Sequence, residues 1–382
     1  MRYLGTRNTV LLAVVTLSVG IITNPTTYAT PITGYIQTKL VSDVPGLAPN
    51  TNQKLVNPWG FSENPDGQFR VAANGTGRAI LLDAQGEREA ADIIIPPPPG
   101  SPSKTISTPN GVVSNTTSGF AITFNGNTAP ATLLFSTEDG TIAGWNPSLS
   151  QTRAVIGNDQ SSNGAVYKGL ALGTNGQGIF IFAANFHNST IDIFDSSFHL
   201  VHFGPNAFVD PTTGPDALPS DFVPFNVKDF NGVLFVTYAK QDAEKHDDVA
   251  GLGNGFIDEF DTSGNFIIRF ASRGLLNSPW GMVIAPAGFG SFGGDLLVGN
   301  FGDSHVSAFE PNTRQFMGQL TDTGGNVLVL TGGFQGTDTK DLWGIGFGNG
   351  VGGADANALF FASGINDEND GLFGNVTVTA GP

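Results

Sequence analysis

The string Asn57-Pro58-Trp59-Gly60-Phe61 comes back as Asn277-Ser278-Pro279-Trp280-Gly281-Met282 and again as Asp341-Leu342-Trp343-Gly344-Ile345. Fainter copies read Pro109-Asn110-Gly111-Val112, Tyr167-Lys168-Gly169-Leu170 and Pro224-Phe225-Asn226-Val227. The equivalent position falls at 60, 111, 169, 226, 281 and 344, at intervals of 51 to 63 residues. Helical solenoids repeat faster and carry a 3.6-residue apolar pattern, which is missing here. A period this long in a strand-forming sequence fits propeller blades.

Each unit divides into short strands separated by turn clusters. In the first they run over 59–63, 69–74, 78–83 and 91–95, parted by Asn64-Pro65-Asp66-Gly67, Gly75-Thr76-Gly77 and Ala84-Gln85-Gly86-Glu87. The third and fifth units align without a gap, Ala184-Asn185-Phe186 against Gly299-Asn300-Phe301. The composition agrees, with 52 Gly and 30 Phe but only 13% charged residues. The last unit supplies three strands, near 344–348, 358–362 and 374–379. The alternating segment 35–41 is free to complete it and cover an open edge. The expected fold is therefore all-β: a six-bladed propeller of four-stranded antiparallel blades, closed by its N-terminal strand. Blades start near 57, 109, 167, 224, 279 and 342, within one domain over residues 30–382.

Pro58-Trp59-Gly60-Phe61 followed by 69–74, and Pro279-Trp280-Gly281-Met282 followed by 297–300, resemble NHL-repeat propellers. The likeness spans about 35–380 and is to a group of uncharacterised exported bacterial propellers in particular. Where the NHL pattern has Asp after the second strand, this chain has Asn74, Asn185 or Asn300, and the Arg of the next turn survives only as Arg78.

Residues 1–29 read as an export signal. Arg2 and Arg7 precede an apolar run from Leu11 to Ile22, too short to span a bilayer, and Thr27-Tyr28-Ala29 offers a cleavage site. The expected location is periplasmic, cell-surface or extracellular. Loss of both arginines moves the net charge from −16 to −18, which argues against nucleic acid and anionic membranes as partners. There is no cysteine, hence no disulfide, zinc thiolate or cysteine nucleophile. A monomer is expected.

Strand direction puts the strand 2–3 turns and the links between blades on one face, the top, where insertions at 96–108, 204–222, 240–254 and 365–371 gather. Inward residues expected there are Asn74, Glu138, Asn185, Tyr238 and Asn300. From the blade starts come Asn57, Asn110, Lys168, Asn226, Asn277 and Asp341, with His187 and Lys240 on top turns. A ring of carboxamides can hold a carbohydrate, a peptide backbone or a cation. Equally, each Asn can simply end a strand before a turn. Trp59, Trp280 and Trp343 either wedge between blades or form stacking platforms at the mouth. The five histidines are scattered, which disfavours a zinc centre. Asn366, Glu368 and Asp370 alternate before Gly371 as calcium ligands could, but Thr377 stands where an EF-hand needs Glu. Two functions remain: a propeller binding a small molecule, glycan, peptide or protein at its top mouth, or a hydrolase or lyase, with or without a cation, with its centre in the channel.

Overall fold

The computed structural model describes residues 34–333 and 340–379. The expected export segment, 1–29, lies outside the described residues.

Six sheets form six blades. Blade 1 holds Pro58–Glu63, Phe69–Ala73, Arg78–Leu82 and Ile93–Ile94; blade 2 holds Pro109–Ser114, Leu133–Thr137, Thr141–Trp145 and Val155–Asp159. Blade 3 comprises Tyr167–Asn175, Gly178–Asn185, Thr190–Asp195 and Leu200–Val201; blade 4 comprises Phe222–Phe230, Val233–Lys240, Phe256–Asp261 and Phe266–Ser272. Blade 5 is built from Pro279–Ile284, Leu296–Asn300, Val306–Phe309 and Phe316–Gln319, and blade 6 from Leu342–Phe347, Leu359–Ser363 and Leu372–Thr379. The first strand of each blade touches that of the next, all the way from blade 6 back to blade 1.

Gly34–Ser42 completes blade 6 by pairing antiparallel with Leu372–Thr379, in register Tyr35 to Val378 and Ser42 to Leu372. Two additions were not expected from the sequence. Asn50–Thr51 adds a short fifth strand beside Gly34–Ser42, and a hairpin of Ala121–Phe124 with Asn127–Pro130 projects from blade 2. Among the described residues no helix is long and apolar enough to cross a membrane.

Phe69–Ala73, Leu133–Thr137, Leu296–Asn300 and Leu359–Ser363 bury both faces, because every blade is packed between two others. In blade 1, Phe69, Val71 and Ala73 join Phe360 and Phe373 of blade 6, while Ala72 meets Val112, Leu133 and Phe135 of blade 2. A fully buried phenylalanine of this kind stabilises by about 1.5–3 kcal/mol. The motif glycines sit where inner strands crowd. A Cβ on Gly60 would lie 2.7 Å from the Asn110 carbonyl oxygen, and one on Gly344 would lie 2.6 Å from that of Trp59.

Candidate functional site

In all six blades the pairing of strand 1 with strand 2 slips at the repeat motif. The slipped stretches contain Trp59, Asn110, Lys168, Phe225, Trp280 and Trp343, one per blade. A bulge re-aims the side chain it carries. Five of these residues consequently meet at the axis, while Asn110 turns to bond the Tyr167 carbonyl of the next blade.

The result is an aromatic plug. Trp343 is sandwiched between Trp59 (ring centres 3.4 Å apart, planes at 14°) and Phe301 (4.0 Å, 25°). Trp280 meets both tryptophans edge-on, at 6.1 and 5.8 Å. Phe186 and Phe225 complete the cluster. The tryptophans, from the consecutive blades 5, 6 and 1, thus wedge against one another at the axis. Their faces are already covered, which removes the platform alternative. Below the plug a narrow axial channel of about 40 Å³ runs between the inner strands, past Gly60, Gly111, Leu170, Val227, Met282 and Ile345.

Lys168 is the charged member of the plug. Its ammonium nitrogen stands 5.2 Å from the Trp59 ring centre and 5.7 Å from that of Phe186. It bonds Glu138 at 2.5 Å and Asp247 at 3.1 Å, and its side chain is only 2% exposed. Its carbonyl accepts from the Trp280 indole N–H at 2.8 Å. Asn74 holds the other Glu138 oxygen at 2.7 Å. One lysine therefore ties together residues of blades 1 to 5.

Above the plug opens a pocket of about 210 Å³, with Trp59, Trp343 and Phe301 in its floor. Asp247, Asp248, Asp367 and Glu368 line it, with Lys168 and Lys340. Burial works against the Lys168 charge, but Glu138 and Asp247 outweigh it and hold its pKa above the ordinary lysine value. The His246 hydrogen bond, with Lys168 nearby, holds Asp247 well below the usual carboxylate range. Glu368 goes the other way: burial, with Glu138 adding repulsion against the pull of Lys168, pushes it up to about 8. Burial also lifts Asp248 to about 6, and one of its oxygens, Oδ2, is buried without a hydrogen-bond partner. One pocket thus holds carboxyl groups with well-separated pKa values. Among the described residues Glu138, His246 and Asp247 have ligand atoms within 4.8 Å of one another, but the Lys168 ammonium already bonds both carboxylates.

Of the residues expected at the site, Trp59, Trp280, Trp343, Lys168 and Glu138 come together, and Asn57 and Asn74 orient carboxylates. Asn57 donates to Glu368 at 3.1 Å. Asn226 donates instead to the Trp280 carbonyl at 2.8 Å, Asn185 to Asp192 at 2.8 Å, Asn277 to Asp303 at 3.2 Å and Asn300 to the Leu275 carbonyl at 2.7 Å. With Asn110 they brace the ring. Asp341 is buried, and its backbone N–H donates to Ser304. Tyr238 does not face the mouth; it packs in the core between blades 3 and 4, beside Asp258. Lys240 pairs with Asp221 at 3.7 Å, away from the pocket, and His187 is not among its lining. Nor do the three calcium candidates converge: Asn366 bonds Asp370 at 2.8 Å while Glu368 turns to Asn57. Sequence reasoning missed Asp247, Asp248 and Phe301.

No family model matches the chain. Uncharacterized protein R648 of Acanthamoeba polyphaga mimivirus is 30% identical over 340 residues, covering 88% of this chain and 78% of that protein. This chain belongs to the family of that viral protein. A second member of the family, protein L690 of the same virus, is 32% identical over 296 residues, 77% of this chain and 76% of its own length. These relatives are viral, whereas the sequence resemblance had pointed to bacterial propellers. Among solved structures the chain is similar to a streptogramin B lyase (TM-score 0.50, 10% identity, 91% of this chain and 98% of that one). A virginiamycin B lyase from Staphylococcus aureus matches at TM-score 0.50 and 14% identity, over 91% and 100% of the two chains. A glucose dehydrogenase matches at 0.51 and 13%, over 89% and 98%. At such identities the likeness shows the propeller fold alone.

Proposed function

We propose that the protein is a binding propeller whose top pocket takes a ligand with a compact cationic head, an organic ammonium or guanidinium group. Its support is the excess of acid there. Four carboxyl side chains line a small pocket beside two lysines, and one of those lysines is already bonded to Glu138 and Asp247. The unpartnered Asp248 oxygen is a ready acceptor for such a head. An arriving cation would also favour ionised Glu368. Calorimetric titration with L-argininamide against the isosteric, uncharged L-citrullinamide tests this. Binding of the first alone, abolished by Asp248→Asn, is expected; equal binding or none would overturn it. Export ahead of this role rests on residues 1–29 and is checked by N-terminal sequencing of released protein, which should begin at Thr30.

A second reading is enzymatic, with Glu368 as proton donor and Asp247 as the ionised partner, since their pKa values are driven apart within one pocket. Propellers named as lyases and as a dehydrogenase share the fold. Turnover of a bound cationic substrate that vanishes in Glu368→Gln, with binding retained, would favour this reading over simple binding.

A further inference from the structure

One charged residue, Lys228, stands in the wall of the axial channel below the plug. It lies two positions past the blade 4 repeat residue Asn226, where the other blades carry Ser62, Val113, Ala171, Val283 and Gly346. Strand register sets it opposite the buried Phe235. Unlike Lys168, it makes no hydrogen bond or ion pair among the described residues. Nor is it enclosed: solvent reaches the side chain, while protein crowds around it as on a concave wall. That crowding holds its pKa below the ordinary lysine value, with no carboxylate acting the other way.

The surroundings decide what such an amine can meet. Phe61, Val113, Leu170, Met282 and Ile345 give the channel apolar sides. Its other polar side chains are occupied. Asn226 donates to the Trp280 carbonyl and accepts from the Val227 N–H, and the Trp280 indole N–H bonds the Lys168 carbonyl. An anion drawn in would lose its water and gain a single side-chain donor, a net cost. A neutral carbonyl compound meets no such penalty, and a desolvated lysine amine is the form that attacks a carbonyl carbon. The channel, at about 40 Å³, has room for roughly three waters or one short unbranched chain.

We propose that Lys228 is a covalent capture site for short-chain aldehydes that enter the channel from the face opposite the plug. The neutral amine nitrogen adds to the carbonyl carbon. Both amine hydrogens pass to the carbonyl oxygen, which leaves as water, and a C=N bond remains. No oxidant or reductant takes part, so water reverses the step.

The test incubates the full chain at neutral pH with propionaldehyde and cyanoborohydride, which reduces each imine to a stable propylamine. Peptide mass mapping then follows every lysine separately. Lys228 is expected to label several-fold faster than the exposed Lys54, Lys104 and Lys245, at a rate that saturates with aldehyde. Pivaldehyde, branched beside its carbonyl, should label those three but not Lys228. Lys228→Arg, which keeps the charge, should melt as the parent does and lose the fast site. The proposal is overturned if Lys228 labels no faster than the surface lysines, or takes pivaldehyde as readily as propionaldehyde. Protection of Lys228 by added acetate would overturn it too, since the ammonium would then be an anion site.

Discussion

Trp343 stacks on Trp59 with ring centres 3.4 Å apart, and the two residues come from the last and the first blade. The seam of the ring is thus held twice, by backbone pairing at the rim and by indole stacking at the axis.

Trp343→Ala should remove both halves of a sandwich, since Phe301 packs on the opposite face at 4.0 Å. With the residue 1% exposed and little room to collapse, a loss of about 3–5 kcal/mol is expected. Urea unfolding measures it; a loss below about 1 kcal/mol would mean the plug is not structural.

The two partners of Lys168 should differ sharply. Glu138→Gln leaves a buried ammonium half-paired and should destabilise by about 3–5 kcal/mol. The Asp247 side chain is 67% exposed, so Asp247→Asn should change stability by about 1 kcal/mol or less. Equal effects in denaturant titrations would contradict the unequal burial.

Glu368 gives a pH signature. Its pKa rises from 4.5 to about 8 on folding, in a pocket shared with Lys168, Glu138, Asp247 and Asp248. The folded state keeps a proton that the unfolded chain gives up, so stability falls as pH rises between these values. Glu368→Gln should match the parent near pH 4 and melt progressively higher than it up to about pH 8, then hold that lead, on the order of 2–4 kcal/mol. A pH-independent difference would rule out the shift.

Removing Gly34–Ser42 should expose the outer edge of Leu372–Thr379 along eight paired positions. Loss of the sharp melting transition and self-association on a sizing column are expected. A monodisperse, cooperative fragment would show that ring closure is dispensable.

The blades were legible because the Trp-Gly motif marks a physical necessity. Each inner strand must bulge and approach its neighbour's backbone, and glycine meets that need in five blades, with Asn226 at the equivalent position of blade 4. Closure by the N-terminal strand could be read from a missing fourth strand. The site was legible only in part. Asn185-Phe186 and Asn300-Phe301 align, and the attractive residue to name was the polar one. Yet the phenylalanines reach the axis while the asparagines brace turns. Asp247 belongs to an acidic loop that reads as solvated, and only the fold brings it 3.1 Å from Lys168, which lies far earlier in the chain. The bulge decides where Lys168 and Phe225 point, and periodicity has no access to it.

Tyr35 faces Val378 across the closing ladder. A ribosome releases the first of these long before the second, so the earliest-made strand waits for the latest-made one. Five blades can assemble during synthesis, but the ring cannot shut until Leu372–Thr379 has been made. Until then an unpaired strand edge stands open at each side of the gap, and that interval is when this protein is most exposed to misassembly with its own kind.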